Sequence, residues 1–144
     1  MRVYLDNCCY NRPFDKQTSL VVRLETEAKL RVQELIRLGK IELVWSFVLD
    51  YENSENPFLE KRESIAFWKR LAFCNVRMSD AIKEMAFEYA KLGLRQKDAA
   101  HIACAEYSKA DYFLTTDKKI FNKPVTAVVL INPIDFIRRF SDDQ

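Results

Sequence analysis

The sequence predicts a three-layer α/β/α sandwich built on a mostly parallel five-stranded sheet. Short runs rich in β-branched and aromatic residues, such as "RVYLD" and "IELVWS", alternate with longer segments of helical periodicity. Strands separated by helices require crossover connections, which makes neighbouring strands parallel and covers the sheet on both faces. With 144 residues, 49% of them hydrophobic, the chain can bury one core but not two, so residues 1–144 are expected to form a single domain.

"RVYLD" is the first strand, and if it continues, the adjacent Cys8 and Cys9 point in different directions. A helix is expected from about Thr18 to Leu38, carrying apolar residues at Leu20, Val21, Leu24, Ala28, Leu35 and Ile36 and stopping at Gly39. "IELVWS" is the second strand. Ser46 then caps a short helix through Tyr51 and Glu52 that ends before "NSENP". A further helix spans Leu59 to Leu71, and "CNVRM" is a weaker third strand. Ser79 caps a helix that stops at Gly93, and another follows from about Lys97 to Ser108. "DYFLTT" and "TAVVLIN" are the fourth and fifth strands, and Pro133 opens the last helix.

Composition excludes several function classes. Only two glycines are present, too few for a Gly-rich phosphate cradle. The cysteines fall at 8, 9, 74 and 104 with no CxxC pair and a single histidine, which argues against a zinc site and for reduced thiols. No basic region leads into a long apolar segment and no run reaches membrane-spanning length, so a soluble, cytoplasmic protein without a membrane partner is expected. A formal net charge of +2 does not by itself announce nucleic-acid binding.

The acids are more informative by position. Ligands of open parallel α/β sheets gather beyond the carboxyl ends of the strands. Asp6 ends the first strand and Asp117 follows the fourth, while Glu52 lies on the helix entered from the second strand. Asp98 lies at the start of "DAAHIACAEY", where the positive helix end favours a carboxylate. Carboxylates brought within a few ångströms repel one another unless a cation neutralises them. Oxygen ligands of this kind suit Mg²⁺ or Mn²⁺, ions that serve hydrolytic phosphoryl transfer. In a chain with 21 acids, each taken singly also reads as a helix cap, a turn residue or a solvated charge.

The pattern resembles the PIN domain family, which includes the VapC-type ribonuclease toxins of bacterial toxin–antitoxin pairs. The resemblance covers nearly the whole chain and rests on "VYLDNCC", "VWSFVLDYE" and above all "KDAAHIACAEYSKADYFLTTDKKIF". It implies a Mg²⁺- or Mn²⁺-dependent endoribonuclease whose catalytic and metal-binding acids are Asp6, Glu52, Asp98 and Asp117. Asp50 and Glu55 flank Glu52, which the family spacing from Ser46 favours. Thr116 and Cys8 stand where supporting groups are expected, and His101, one turn after Asp98, shares its helix face. The resemblance also implies an RNA substrate, a homodimer and an antitoxin partner.

Arg12, Lys16, Arg95, Lys97, Lys118 and Lys119 lie near the acids in sequence and are candidates to hold a phosphate backbone. Two alternatives remain. A PIN fold that binds RNA or a protein without cutting it would be expected to have lost one or more of the acids. A phosphatase of the haloacid dehalogenase kind needs a second Asp where Cys8 stands.

Overall fold

The computed structural model describes residues 1–142. Its sheet contains β1 (Arg2–Leu5), β2 (Glu42–Ser46), β3 (Cys74–Val76), β4 (Tyr112–Leu114) and β5 (Val129–Ile131), in the spatial order β3-β2-β1-β4-β5. All four pairings are parallel, with Val3 opposite both Leu43 and Tyr112. From β1 the chain winds outward through β2 and β3, then returns to β1's other side for β4 and β5. The order therefore reverses between β1 and β4, which opens a crevice past the ends of those two strands.

The central strands read as continuous apolar runs because both of their faces are buried. Val3, Tyr4 and Leu5 are buried without a break, as are Leu43, Val44 and Trp45. On one face Tyr4 stacks on its cross-strand partner Phe113, with centroids 5.4 Å apart, and both meet His101 of α6 (Gln96–Tyr107). Trp45 packs edge-on against Tyr10 on the other face, where the ammonium of Lys29 from α2 (Leu20–Arg37) lies 5.6 Å from the Tyr10 ring. The layers are completed by α5 (Asp80–Lys91) packed on α6 and by α7 (Pro133–Asp142) packed on α2.

Ser46 and Ser79 cap α3 (Phe47–Ser54) and α5, accepting from the backbone N–H of Leu49 and Ile82 at 3.3 Å each. Gly39 and Gly93 follow α2 and α5 with φ of 72° and 97°, the left-handed geometry that a side chain resists.

The expected five-stranded parallel sheet is present, with all of its pairings parallel. Several other elements differ from expectation. Cys8 and Cys9 do not extend β1 but lie in a short helix, α1 (Asn7–Asn11), followed by a 3-10 turn at Arg12–Phe14. Asp6 causes the break: its carboxylate accepts the Asn7 N–H and its carbonyl accepts the Cys9 N–H, turning the chain at once into a helix. α3 runs on to Ser54, and the segment expected to be helical to Leu71 divides into α4 (Leu59–Ala66) and a tighter 3-10 stretch, Phe67–Leu71. β5 is shorter than "TAVVLIN" because β4 offers only Tyr112–Leu114 for pairing. A 3-10 turn at Lys118–Asn122 was not anticipated.

On α2, Ala28, Leu35 and Ile36 are buried as expected, but the first turns present a different face. Leu20, Val21 and Leu24 are exposed, whereas Glu25, Lys29 and Gln33 are buried. Glu25 is held by Arg12, at 2.8 and 3.0 Å, and by the Asn132 amide at 2.6 Å, so its charge is paired inside the fold. Arg12 is thereby committed to structure. No helix among the described residues is long and apolar enough to cross a membrane.

Candidate functional site

A cavity of about 600 Å³ opens at the reversal of strand order, lined by Asp6, Asn7, Cys8, Glu52, Arg95, Gln96, Lys97, Asp98, His101 and Asp117. The lining includes all four acids expected from sequence. They divide, however, into two limbs with different partners.

The inner limb joins Asp6, Glu52 and His101, which offer ligand atoms all within 4.8 Å of one another. Asp6 is fixed from several directions. Its Oδ1 accepts the Asn7 N–H at 2.8 Å, and its Oδ2 accepts the Thr115 hydroxyl at 2.8 Å and the Cys8 thiol at 3.4 Å. His101 is buried to 1% exposure. Its Nε2 is hydrogen-bonded to Glu52 Oε1 and lies 3.7 Å from Asp6 Oδ1, and its Nδ1 lies 2.6 Å from the Tyr4 hydroxyl. Burial alone would depress the histidine's pKa, but the Glu52 hydrogen bond and the charges of Asp6, Glu52 and Asp98 outweigh it and raise the value.

The outer limb pairs Asp98 with Asp117 through Arg95. The guanidinium donates from Nε to Asp98 Oδ2 at 3.1 Å and from Nη2 to Asp117 Oδ2 at 2.7 Å. Asp98 stands in the first turn of α6, and Asp117 caps the following 3-10 turn by accepting the Lys119 N–H at 3.0 Å. Arg95 is the N-cap residue of α6, and its side chain is 67% exposed, so the bridge lies at the cavity mouth.

Of the supporting residues expected from sequence, Cys8 touches Asp6 directly and also receives the Thr116 backbone N–H at 3.3 Å. The Thr116 contact to the site is this backbone one. The hydroxyl that binds Asp6 belongs to Thr115, which also accepts the Asp117 N–H at 3.1 Å and so links the two limbs. Alternation along "FLTTD" was the available signal, since the backbone of Thr115 continues the sheet by donating to Ile131 O at 3.0 Å. Tyr4 was likewise readable as lying two residues before Asp6 on the same strand face.

No protein-family model and no curated protein matches the chain. Among solved structures it is similar to a chain in the crystal structure of VapBC2 from Rickettsia felis bound to a DNA fragment from their promoter, with a TM-score of 0.58 and 14% sequence identity. The alignment covers 92% of this chain and 98% of that one. At that identity the likeness is one of fold, a PIN-like α/β arrangement.

Proposed function

We propose that the protein is a Mg²⁺- or Mn²⁺-dependent endoribonuclease that hydrolyses RNA phosphodiester bonds, acting as the toxin of a VapBC-type toxin–antitoxin pair. The observation that carries this reading is the convergence of Asp6, Glu52, Asp98 and Asp117 on one cavity at the strand-order reversal. The donor set fits the ion, because carboxylate oxygens are the ligands that hard divalent cations prefer. Such an ion supplies Lewis-acid chemistry to a phosphodiester.

The chain's own residues supply the geometry. Asp6 is immobilised by Asn7, Thr115 and Cys8, and Glu52 by His101, so both carboxylates are held in place in advance. Asp98 and Asp117 would complete the set once Arg95 releases them, and the freed guanidinium, beside Lys97 at the mouth, would then meet the RNA backbone. An RNA substrate is consistent with an activity in the cytoplasm.

Partner binding is supported by an apolar surface around the start of α2 and of α4. Leu20, Val21, Phe58 and Leu59 are each about half or more exposed, and Lys61 lies over the rings of both Phe14 and Phe58. The surface suits an antitoxin and a second copy of the chain, and the similar structure is itself a VapBC2 complex. A second reading, a binding module that does not cut RNA, is favoured by the Arg95 bridge, which already engages both Asp98 and Asp117 with one cation of the protein's own.

Incubating the purified protein with mixed RNAs and Mn²⁺, beside the Asp6→Asn and Asp98→Asn variants, separates the two readings. Cleavage by the parent that is lost in both variants, with folding intact, supports the ribonuclease. Cleavage retained in a variant carrying both substitutions, or absent from the parent, contradicts it.

A further inference from the structure

His101 is one member of a metal-sized cluster with Asp6 and Glu52, which invites its assignment as a nitrogen ligand. The hydrogen bonds around the ring argue otherwise. Ser46 Oγ lies 2.6 Å from the Tyr4 hydroxyl, which lies 2.6 Å from His101 Nδ1, and Nε2 is hydrogen-bonded to Glu52 Oε1. Ser46 is also the N-cap of α3, the helix that carries Glu52. The contacts thus form a closed circuit from the cap of α3, along the helix to Glu52, through the imidazole and Tyr4, and back to the cap.

The circuit decides what Nε2 can do. A carboxylate only accepts hydrogen bonds, so Nε2 must carry a proton towards Glu52. Tyr4 can donate to a neutral Nδ1 or accept from a protonated one, so its contact survives in either charge state. In both states Nε2 has no lone pair to offer a cation. Ligation through Nε2 would require breaking the Glu52 bond and moving the ring proton to Nδ1.

We infer that His101 is a positioning residue and not a metal ligand: it holds Glu52 Oε1, leaving Oε2 as that carboxylate's ligand atom, while Tyr4 and Ser46 hold the ring. The inference rests on the metal-site reading above. It adds that the ion is held by oxygen alone, with imidazole in the outer layer that orients its ligands.

Pulsed electron paramagnetic resonance of Mn²⁺ on the 144-residue chain tests it. Saturable binding without the nitrogen modulation of a directly coordinated imidazole is expected. Saturable binding with that modulation would overturn the inference while leaving the metal site standing, and no saturable binding would reject the metal site and the inference with it. Variants supply a second readout, scored on those whose melting curves match the parent. Gln carries an N–H that can still donate to Glu52, so His101→Gln should keep Mn²⁺ affinity near the parental value, while His101→Ala lowers it about tenfold. Equal loss in both variants would contradict the positioning role.

Discussion

Thr115 Oγ1 donates to Asp6 Oδ2 at 2.8 Å from a fully buried position, and the same oxygen accepts the backbone N–H of Asp117 at 3.1 Å. One hydroxyl thus joins the strand end that presents Asp6 to the turn that presents Asp117. Thr115→Val keeps the volume but leaves the Asp117 N–H without that acceptor and Asp6 without that donor. Chemical denaturation should show a loss of about 1–3 kcal/mol, the usual cost of an unmade buried hydrogen bond. Mn²⁺ affinity should fall about tenfold, as for other residues that orient metal ligands. Thr115→Ser should restore both. A valine variant that matches the parent in both measurements would show that the link does not matter.

Arg95 bridges Asp98 and Asp117 from an exposed side chain. It therefore competes with any divalent ion for those two carboxylates. Removing it as Arg95→Ala should tighten Mn²⁺ binding several-fold in calorimetric titration, and RNA binding should weaken with a shallower salt dependence as one phosphate contact is lost. Weaker Mn²⁺ binding in the variant would mean that the arginine organises the acids and does not block them.

Lys29 is buried on α2, where desolvation lowers its pKa from 10.5 to about 8. The folded state releases this proton before the unfolded state does, so burying the charge costs stability below pH 8 and the cost fades as pH rises towards 10.5. Lys29→Met should be more stable than the parent by on the order of 2–3 kcal/mol at pH 7. That advantage should shrink steadily between pH 8 and 10.5. The comparison must be between the two proteins at each pH, because burial also raises the Cys9 thiol, which makes the parent lose stability above pH 9. An advantage that stays constant across this range would mean that burial does not depress the Lys29 pKa, so that the ammonium keeps its proton in the fold as readily as in the unfolded chain.

The strand-helix order and the parallel sheet were legible because central strands buried on both faces appear as unbroken apolar runs, as Val3–Leu5 and Leu43–Trp45 do. α1 was not, since five residues are too few to show helical periodicity and its cause is the single cap at Asp6. The polar part of α2's inward face was also hidden. Glu25 can be buried only because Arg12 and Asn132 reach it, and Asn132 lies 107 residues away.

At the site, strand ends and helix starts pointed to Asp6, Glu52, Asp98 and Asp117, and the structure brings all four to one cavity. Their division into limbs was not readable, because Arg95 meets Asp117 across 22 residues. The setting of His101 likewise depends on Tyr4, 97 residues earlier in the chain. Contacts of that span are created by the fold and leave no local pattern in sequence.

The proposed metal site stands or falls on Asp6 and Glu52 as the holders of a divalent cation. Calorimetric titration of Mn²⁺ into the parent and into the Asp6→Asn, Glu52→Gln double variant tests it most directly. Saturable binding by the parent that disappears in a variant with an unchanged circular dichroism spectrum is the predicted result. Equal binding by both proteins, or none by the parent, would rule out a cation held by these two carboxylates.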